Sequence, residues 1–366
     1  YNGLNIMNEG QIINQIDQQQ GFPPAPYNDV YSILVKSYDS VWLATYNGFS
    51  YFNGSTVRFL SYADQYPSEE DEFTTDLLMV EDILYGATTR GLFQYNEGVF
   101  EVYTTADGLS DNHIWALATD RNMNIWCATV NGLSIFDGKT FYNYATKEGL
   151  PHTYCNDITF DSFGTAWIAT DNGVSAVQLN PDWTIECSNM GSKQGLTSDI
   201  IFSVLVDHKG HVWFGHNNGV DRYNPSTSEI KHYGPLEGFI PVETSLGAVT
   251  LSSGNDIWFG TVNGAVRYIP ENDFPRTDPP RIYIKSIHLF NDTVPVSRFA
   301  EGVDSIHGLP IGLDLPFRKN NLVFKYVGLH YTIIEKNRYR YYLEGYDEGW
   351  SEVTDAIETP PYRKIP

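Results

Sequence analysis

The stretch 125–144, IWCATVNGLSIFDGKTFYNY, constrains this chain more than any other, because the chain keeps rewriting it. The same skeleton stands at 41–60 (VWLATYNGFSYFNGSTVRFL) and, less regularly, at 84–103 (LYGATTRGLFQYNEGVFEVY). It returns at Ala166 (AWIATDNGVSAV), Val212 (VWFGHNNGVDRY) and Ile257 (IWFGTVNGAVRY), and a beheaded copy, YNGLNIMNEGQIINQ, opens the sequence at Tyr1. The glycine of each NG or RG pair marks a copy: Gly3, Gly48, Gly91, Gly132, Gly173, Gly219 and Gly264, spaced by 45, 43, 41, 41, 46 and 45 residues. A period in the forties built only from strand-like pieces is the period of a β-propeller blade.

One unit reads as four antiparallel strands. An alternating run such as 113–120 (HIWALATD) or 201–207 (IFSVLVD) comes first, then a polar turn, then the Trp strand and the NG turn. The last two strands join through Asn53-Gly54, Glu97-Gly98 or Asp137-Gly138, and tight hairpins favour Asn-Gly and Asp-Gly because the turn needs positive φ. So small a sheet cannot bury both faces alone, and blades must stack radially. The recurrent aromatic slot (Trp42, Tyr85, Trp126, Trp167, Trp213, Trp258) is therefore read as packing between blades rather than as a sugar-stacking ring.

Seven markers predict an all-β, seven-bladed propeller over 1–270 with an incomplete first blade. Six blades are the alternative, should the opening strands complete the last sheet. Residues 271–280 (ENDFPRTDPP) read as a stiff Pro-rich linker, and 281–366 as part of an immunoglobulin-like β-sandwich. In that part RIYIKSIHLF and NLVFKYV alternate as strands, while RYRYYLEGYDEGW reads as a tyrosine-rich strand, a turn and an anchoring Trp350. Because Tyr1 falls in mid-repeat, the sequence reads as a fragment whose export signal lies elsewhere.

Charge narrows the partners. With 45 Asp and Glu against 23 Lys and Arg, the net charge of −22 argues against nucleic acid and anionic lipid, whose binding rests on clustered Lys and Arg. Cys127, Cys155 and Cys187 lie in strand-like runs without metal-ligand spacing, so they read as small buried residues.

The W-x-G/A-T-x-N-G skeleton with its hairpin, followed by Gly108-Leu109, Gly149-Leu150 or Gly195-Leu196, resembles the two-component-regulator propeller repeat. YRYYLEGYDEGW resembles the opening of the tyrosine-rich Y_Y_Y domain that follows such propellers. Together they are similar to the periplasmic sensor region of hybrid two-component systems that control polysaccharide use. The resemblance implies an oligosaccharide ligand, a homodimeric receptor, and a membrane helix and histidine kinase in parts of the parent chain absent here.

No catalytic constellation stands out. Asp161 and Asp207 open D-x-x-G-x-x-W runs, one residue longer than the Asp-box of sialidase propellers, and 120–124 (DRNMN) has some oxygen ligands of a calcium loop but not its glycine or glutamate. GxSxG and HExxH are absent. Neither a metal nor a cofactor is expected. A glycan-acting propeller enzyme and a protein-interaction scaffold remain as alternatives to the sensor, since propellers host all three.

The NG turns and the interblade Gly-Leu loops should emerge on one rim, and on that rim the residues that vary between copies are the candidate ligand contacts. These are His216, Asn217, Tyr46, His113, Tyr154, Arg90, His152 and Asp171, which offer rings, amides and charged groups suited to a sugar. The competing reading is that they are tolerant loop tips.

Overall fold

The computed structural model describes residues 4–8, 11–24, 29–46, 48–61, 72–240, 243–273, 281–289, 295–329, 338–363 and 365. The chain divides into two compact units, Tyr1–Asp273 and Phe274–Pro366. Among the described residues it holds strands and short 3-10 turns only.

The first unit is a propeller of six blades. Five are four-stranded antiparallel sheets, and blade 6 has three strands (Thr244–Leu251, Ile257–Thr261, Gly264–Tyr268). Blade 3 shows the pattern: Ile114–Thr119 innermost, then Ile125–Thr129, Gly132–Phe136 and Phe141–Tyr144 outermost. Blade 4 begins with Cys155–Phe160 and blade 5 with Ile201–Val206. The opening copy, whose marker Gly3 lies outside the described residues, does not make a seventh blade. The opening strands Leu4–Asn8 and Gln11–Ile16 pair only with each other, and they neither form a full blade nor complete the last sheet. Ile16 packs instead with Phe22, Val41 and Leu43 of blade 1.

The aromatic slot lies between blades. Trp126 (1% exposed) meets Phe160 of blade 4 edge-on at 5.2 Å, and Trp213 (also 1%) meets Phe259 and Tyr268 of blade 6 at 5.9 and 4.5 Å. Tyr85 and Trp167 are buried too, while Trp42 and Trp258 are half-buried. In blades 3, 4 and 5 the Asp of the polar turn explains why the tryptophan is tolerated there. Asp120, Asp161 and Asp207 each accept the indole N–H six residues on, at 3.2, 3.2 and 2.9 Å, while their other oxygen caps the turn's backbone amides. The Asp-box likeness and the calcium-loop likeness are thus one turn motif, and Asp120 already serves Asn122, Asn124 and Trp126. The marker glycine has its own cause. A Cβ on Gly132 would collide with the Tyr144 carbonyl of the outermost strand, and its φ of 107° disfavours side chains.

In the second unit, Arg281–Leu289 pairs antiparallel with Leu322–Leu329, and Ala300–Val303 with Pro310–Leu313. Leu289, Val296 and Leu322 make a small core. These two-stranded sheets do not establish an immunoglobulin-like sandwich among the described residues. The expected strand at 338–350 shows only a bridge from Tyr339 to Thr354, and Trp350, expected as an anchor, is 67% exposed. There the chain turns on itself, with the Asp347 N–H on the Leu343 carbonyl and the Leu343 N–H on the Asp347 carboxylate, so local bonds take the place of a ladder. Most of the expected linker, 274–280, lies outside the described residues.

Candidate functional site

The rim that carries the NG turns is built by repetition. Four interblade loops make a short 3-10 turn closed by a glycine in the left-handed region: Gly108, Gly149, Gly195 and Gly238. The next residue, Leu109, Leu150, Leu196 or Phe239, is buried and pins the loop. The turn of one blade then bonds the loop entering the next, as Gly132 N–H to the Thr153 carbonyl at 2.6 Å and Gly173 N–H to that of Asp199 at 2.5 Å.

The inner strands of blades 1 to 5 next break register at their second residue. The breaks fall at Val30/Ser32, Thr74/Asp76, Ile114/Ala116, Cys155/Asp157 and Ile201/Ser203. Such bulges re-aim one side chain away from the ladder. The re-aimed residues are Tyr31, Thr75, Trp115, Asn156 and Phe202. Two of them tie blades together, Thr75 through its hydroxyl to the Ile114 carbonyl at 2.6 Å and Asn156 through Nδ2 to the Ile201 carbonyl at 2.8 Å. The residue after the bulge is a carboxylate twice. Asp76 accepts the Leu117 N–H of blade 3, and Asp157 accepts the Val204 N–H of blade 5. Burial pushes Asp157 up to about 7 and raises Asp76 as well.

The eight expected contacts fall into three groups. His113, His152, Tyr154 and Asp171 gather at the seam of blades 3 and 4. The ring of His113 lies 4.4 Å from Trp115, and Trp115 lies 6.3 Å from Tyr154. His152 Nδ1 accepts the Tyr154 N–H, and Asp171 Oδ1 accepts Asn156 Nδ2 at 2.8 Å. Burial holds the His113 imidazole below its usual pKa. Tyr46 and Arg90 stand apart in blades 1 and 2, Tyr46 edge-on to Phe73 at 5.3 Å and Arg90 bound to Glu72 at 2.6 Å.

The third group corrects an expectation. Asn217 is exposed, but His216 is completely buried and presents nothing to the rim. In blades 3 and 4 the same position is Thr129 or Thr170, which accepts the turn's N–H and faces a Ser–Asn pair (Ser134–Asn143, Ser175–Asn189). Blade 5 replaces all three at once with His216, Asp221 and His232. Their ligand atoms lie within 4.8 Å of one another, a possible metal donor set. The proton positions oppose it. His216 Nδ1 accepts the Asn218 N–H at 3.1 Å, so Nε2 carries the ring proton, whereas a metal-bound imidazole donates from its far nitrogen. Nε2 instead sits 3.4 Å from Asp221, within ion-pair range but without hydrogen-bond geometry. Burial would raise Asp221, but His216, His232 and the Thr197 amide outweigh it and hold the carboxyl well below its usual range.

Trp115 and Asn156 escaped the sequence reading because period-two alternation counts them as ordinary strand residues. The signal was present as a column: Tyr31, Thr75, Trp115, Asn156 and Phe202 differ wholly between copies whose neighbours repeat.

No family model matches the chain, and no curated protein matches it. Solved structures do. Over all of this chain and 49% of the other, at 20% identity and a TM-score of 0.81, it superposes on the extracellular domain of the "putative hybrid two component system BT3049" of B. thetaiotaomicron. The two share one fold. The chain thus spans about half the length of that domain. Virginiamycin B lyase of Staphylococcus aureus is more distant, at 18% identity and a TM-score of 0.53 over 68% of this chain and 86% of the lyase. PorZ of Porphyromonas gingivalis, a surface component of the type-IX secretion system, matches 66% of this chain and 38% of its own at 15% identity and a TM-score of 0.52. Among the described residues no helix is long and apolar enough to cross a membrane.

Proposed function

We propose that this chain is the ligand-sensing region of an extracytoplasmic receptor of the hybrid two-component type, working in the periplasm as a homodimer and binding an oligosaccharide whose presence regulates glycan use. The observation that supports it most is the seam of blades 3 and 4, where His113, Trp115 and Tyr154 group rings beside Asn156 and Asp171 on one rim. Rings with fixed amide and carboxylate partners are what a sugar needs, a face to stack on and groups to orient its hydroxyls. The carboxylates are committed to structure, Asp171 to Asn156 and Asp157 to two backbone amides, which favours binding over bond cleavage. A switch of this kind needs only different ligand affinity in two states.

Isothermal calorimetry against an oligosaccharide panel tests the reading. Tyr154→Ala should weaken binding of the cognate sugar about tenfold, by loss of stacking. Phe163→Ala, at an 85% exposed site on the opposite rim, should leave it unchanged. Loss of binding in the Phe163 variant alone would place the site on the wrong face. Release of new reducing ends on incubation would favour the enzyme reading instead.

A further inference from the structure

The seams between successive blades are sealed by repeated positions. On one side of a seam, the inner-strand residues Leu77, Leu117, Ile158 and Val204 pack on the blade before them and are 5, 7, 6 and 3% exposed. On the other side, the third-strand residues Phe49, Leu92, Leu133, Val174 and Val220 pack on the blade after them and are fully buried. At the two ends of the series these positions lie open. Ile33 of blade 1, which pairs with Leu43 as Leu117 pairs with Cys127, is 51% exposed, and Val35 is 64% exposed. Ala265 of blade 6, at the register of Val220, is exposed, and Trp258 is half-buried with the Arg267 guanidinium over its ring at 5.5 Å. The inner strands pack in series from Val30–Ser37 to Thr244–Leu251, but those two do not pack on each other as neighbours do.

The opening hairpin fills only the outer half of this place. Gln11–Ile16 leads through the turn Gln18–Gln20 to Gly21 and buried Phe22, as Phe141–Tyr144 leads through Thr146–Glu148 to Gly149 and Leu150. Leu4–Asn8 and Gln11–Ile16 thus stand as third and fourth strands. In the complete blades a third strand also pairs with the Trp strand, whereas Leu4–Asn8 has no second partner strand among the described residues. Ile16 and Phe22 cover Val41 and Leu43 of blade 1, and Ile33 stays outside that cluster.

We propose that the seam between blades 6 and 1 docks a β-hairpin of the kind that forms the repeat's first and second strands, added to the open edge of Leu4–Asn8. The sealed seams show what covers such faces. Strand addition satisfies the backbone groups of the edge, and alternate side chains supply the fit. The hairpin's aromatic would sit on Val35, at the register where Phe160 receives Trp126. Its other face would cover Ala265 and Trp258. A second copy of this chain has no such strands to give, because the first two strands of every blade are paired within their own sheet.

The test supplies the hairpin. Residues 113–129, with Cys127→Ser, are joined directly to Tyr1, so that the junction reads T-Y-N-G where the repeat reads T-V-N-G. A control fusion carries the same residues in scrambled order. The first fusion should raise the Tm by about 5 °C over the unfused chain and slow amide exchange in Leu4–Asn8 about tenfold, and the scrambled fusion should do neither. Ile33→Asp should leave the unfused Tm unchanged, because the residue faces water there, and should cancel most of the gain in the fused chain. Equal Tm in all three chains, an equal gain from the scrambled fusion, or a gain that survives Ile33→Asp would overturn the proposal. A dimer of the unfused chain in sedimentation, dissolved by Ile33→Asp, would overturn it too, since a second copy would then cover the seam.

Discussion

Asp157 of blade 4 accepts the Val204 N–H of blade 5 at 2.8 Å while its other oxygen takes the Ile158 N–H. A buried carboxylate thus staples two inner strands, and burial drives it up to about 7 from 3.8. The native state therefore binds this proton more tightly than the unfolded chain. The associated stability is fully present below about pH 4 and is lost as pH rises through 7, by on the order of 4 kcal/mol. Unfolding of the parent and of Asp157→Asn, followed between pH 4 and 8, should show this slope in the parent and its loss in the variant. Parallel curves would show that the carboxyl titrates normally.

The tryptophan clamp should be costly to break. Trp213→Ala opens a cavity facing blade 6 and is expected to cost roughly 3–5 kcal/mol. Asp207→Ala leaves the buried indole N–H without its acceptor and frees the turn, for about 1–3 kcal/mol. Urea unfolding midpoints give both values, and a neutral Trp213 variant would contradict packing between blades.

Blade 5 offers a test of coupled replacement. His216→Thr alone removes a partner from the fully buried Asp221 and should cost about 3 kcal/mol. Restoring the repeat with His216→Thr, Asp221→Ser and His232→Asn together should bring the loss to within about 1 kcal/mol, because the carboxylate leaves with its partners. Additive losses across the three changes would mean that the groups act separately.

Where the chain leaves the propeller, Asp273 gathers Lys231 at 2.6 Å, Tyr233 at 2.6 Å, Tyr268 at 3.0 Å and Arg222 at 3.1 Å. Burial opposes ionisation, yet these donors hold the carboxyl at about 2. A lowered carboxyl contributes stability present above its unfolded pKa and lost as pH falls through 2. Asp273→Ala should cost about 2–4 kcal/mol at neutral pH by unpairing partly buried cations and phenols. It should also speed amide exchange in 264–273. Unchanged exchange there would show that the exit is held by other contacts.

The sequence by itself determined the blade. Its period, the Asp of the polar turn, the aromatic six residues on and the glycine of the NG turn are all local requirements repeated in register, and each left its mark on composition. The common rim for NG turns and Gly-Leu loops was legible for the same reason, since alternating strands return every second connection to one end. Blade count was not legible, because a marker shows that a piece belongs to the repeat but not whether it finds strands to pair with. Leu4–Asn8 and Gln11–Ile16 carry a marker and pair only with each other. Burial at the rim was equally hidden. His216 and Asn217 are adjacent loop-end residues of similar polarity, yet one is sealed beneath the turn against Asp221 and the other faces water. Only tertiary structure decided that, and only the bulges decided that Trp115 meets Tyr154 and that Asn156 reaches Ile201 of blade 5. A bulge adds one residue to a ladder without changing the alternation around it, so its physical effect, redirecting a side chain, lies in pairing between strands that the linear pattern does not record.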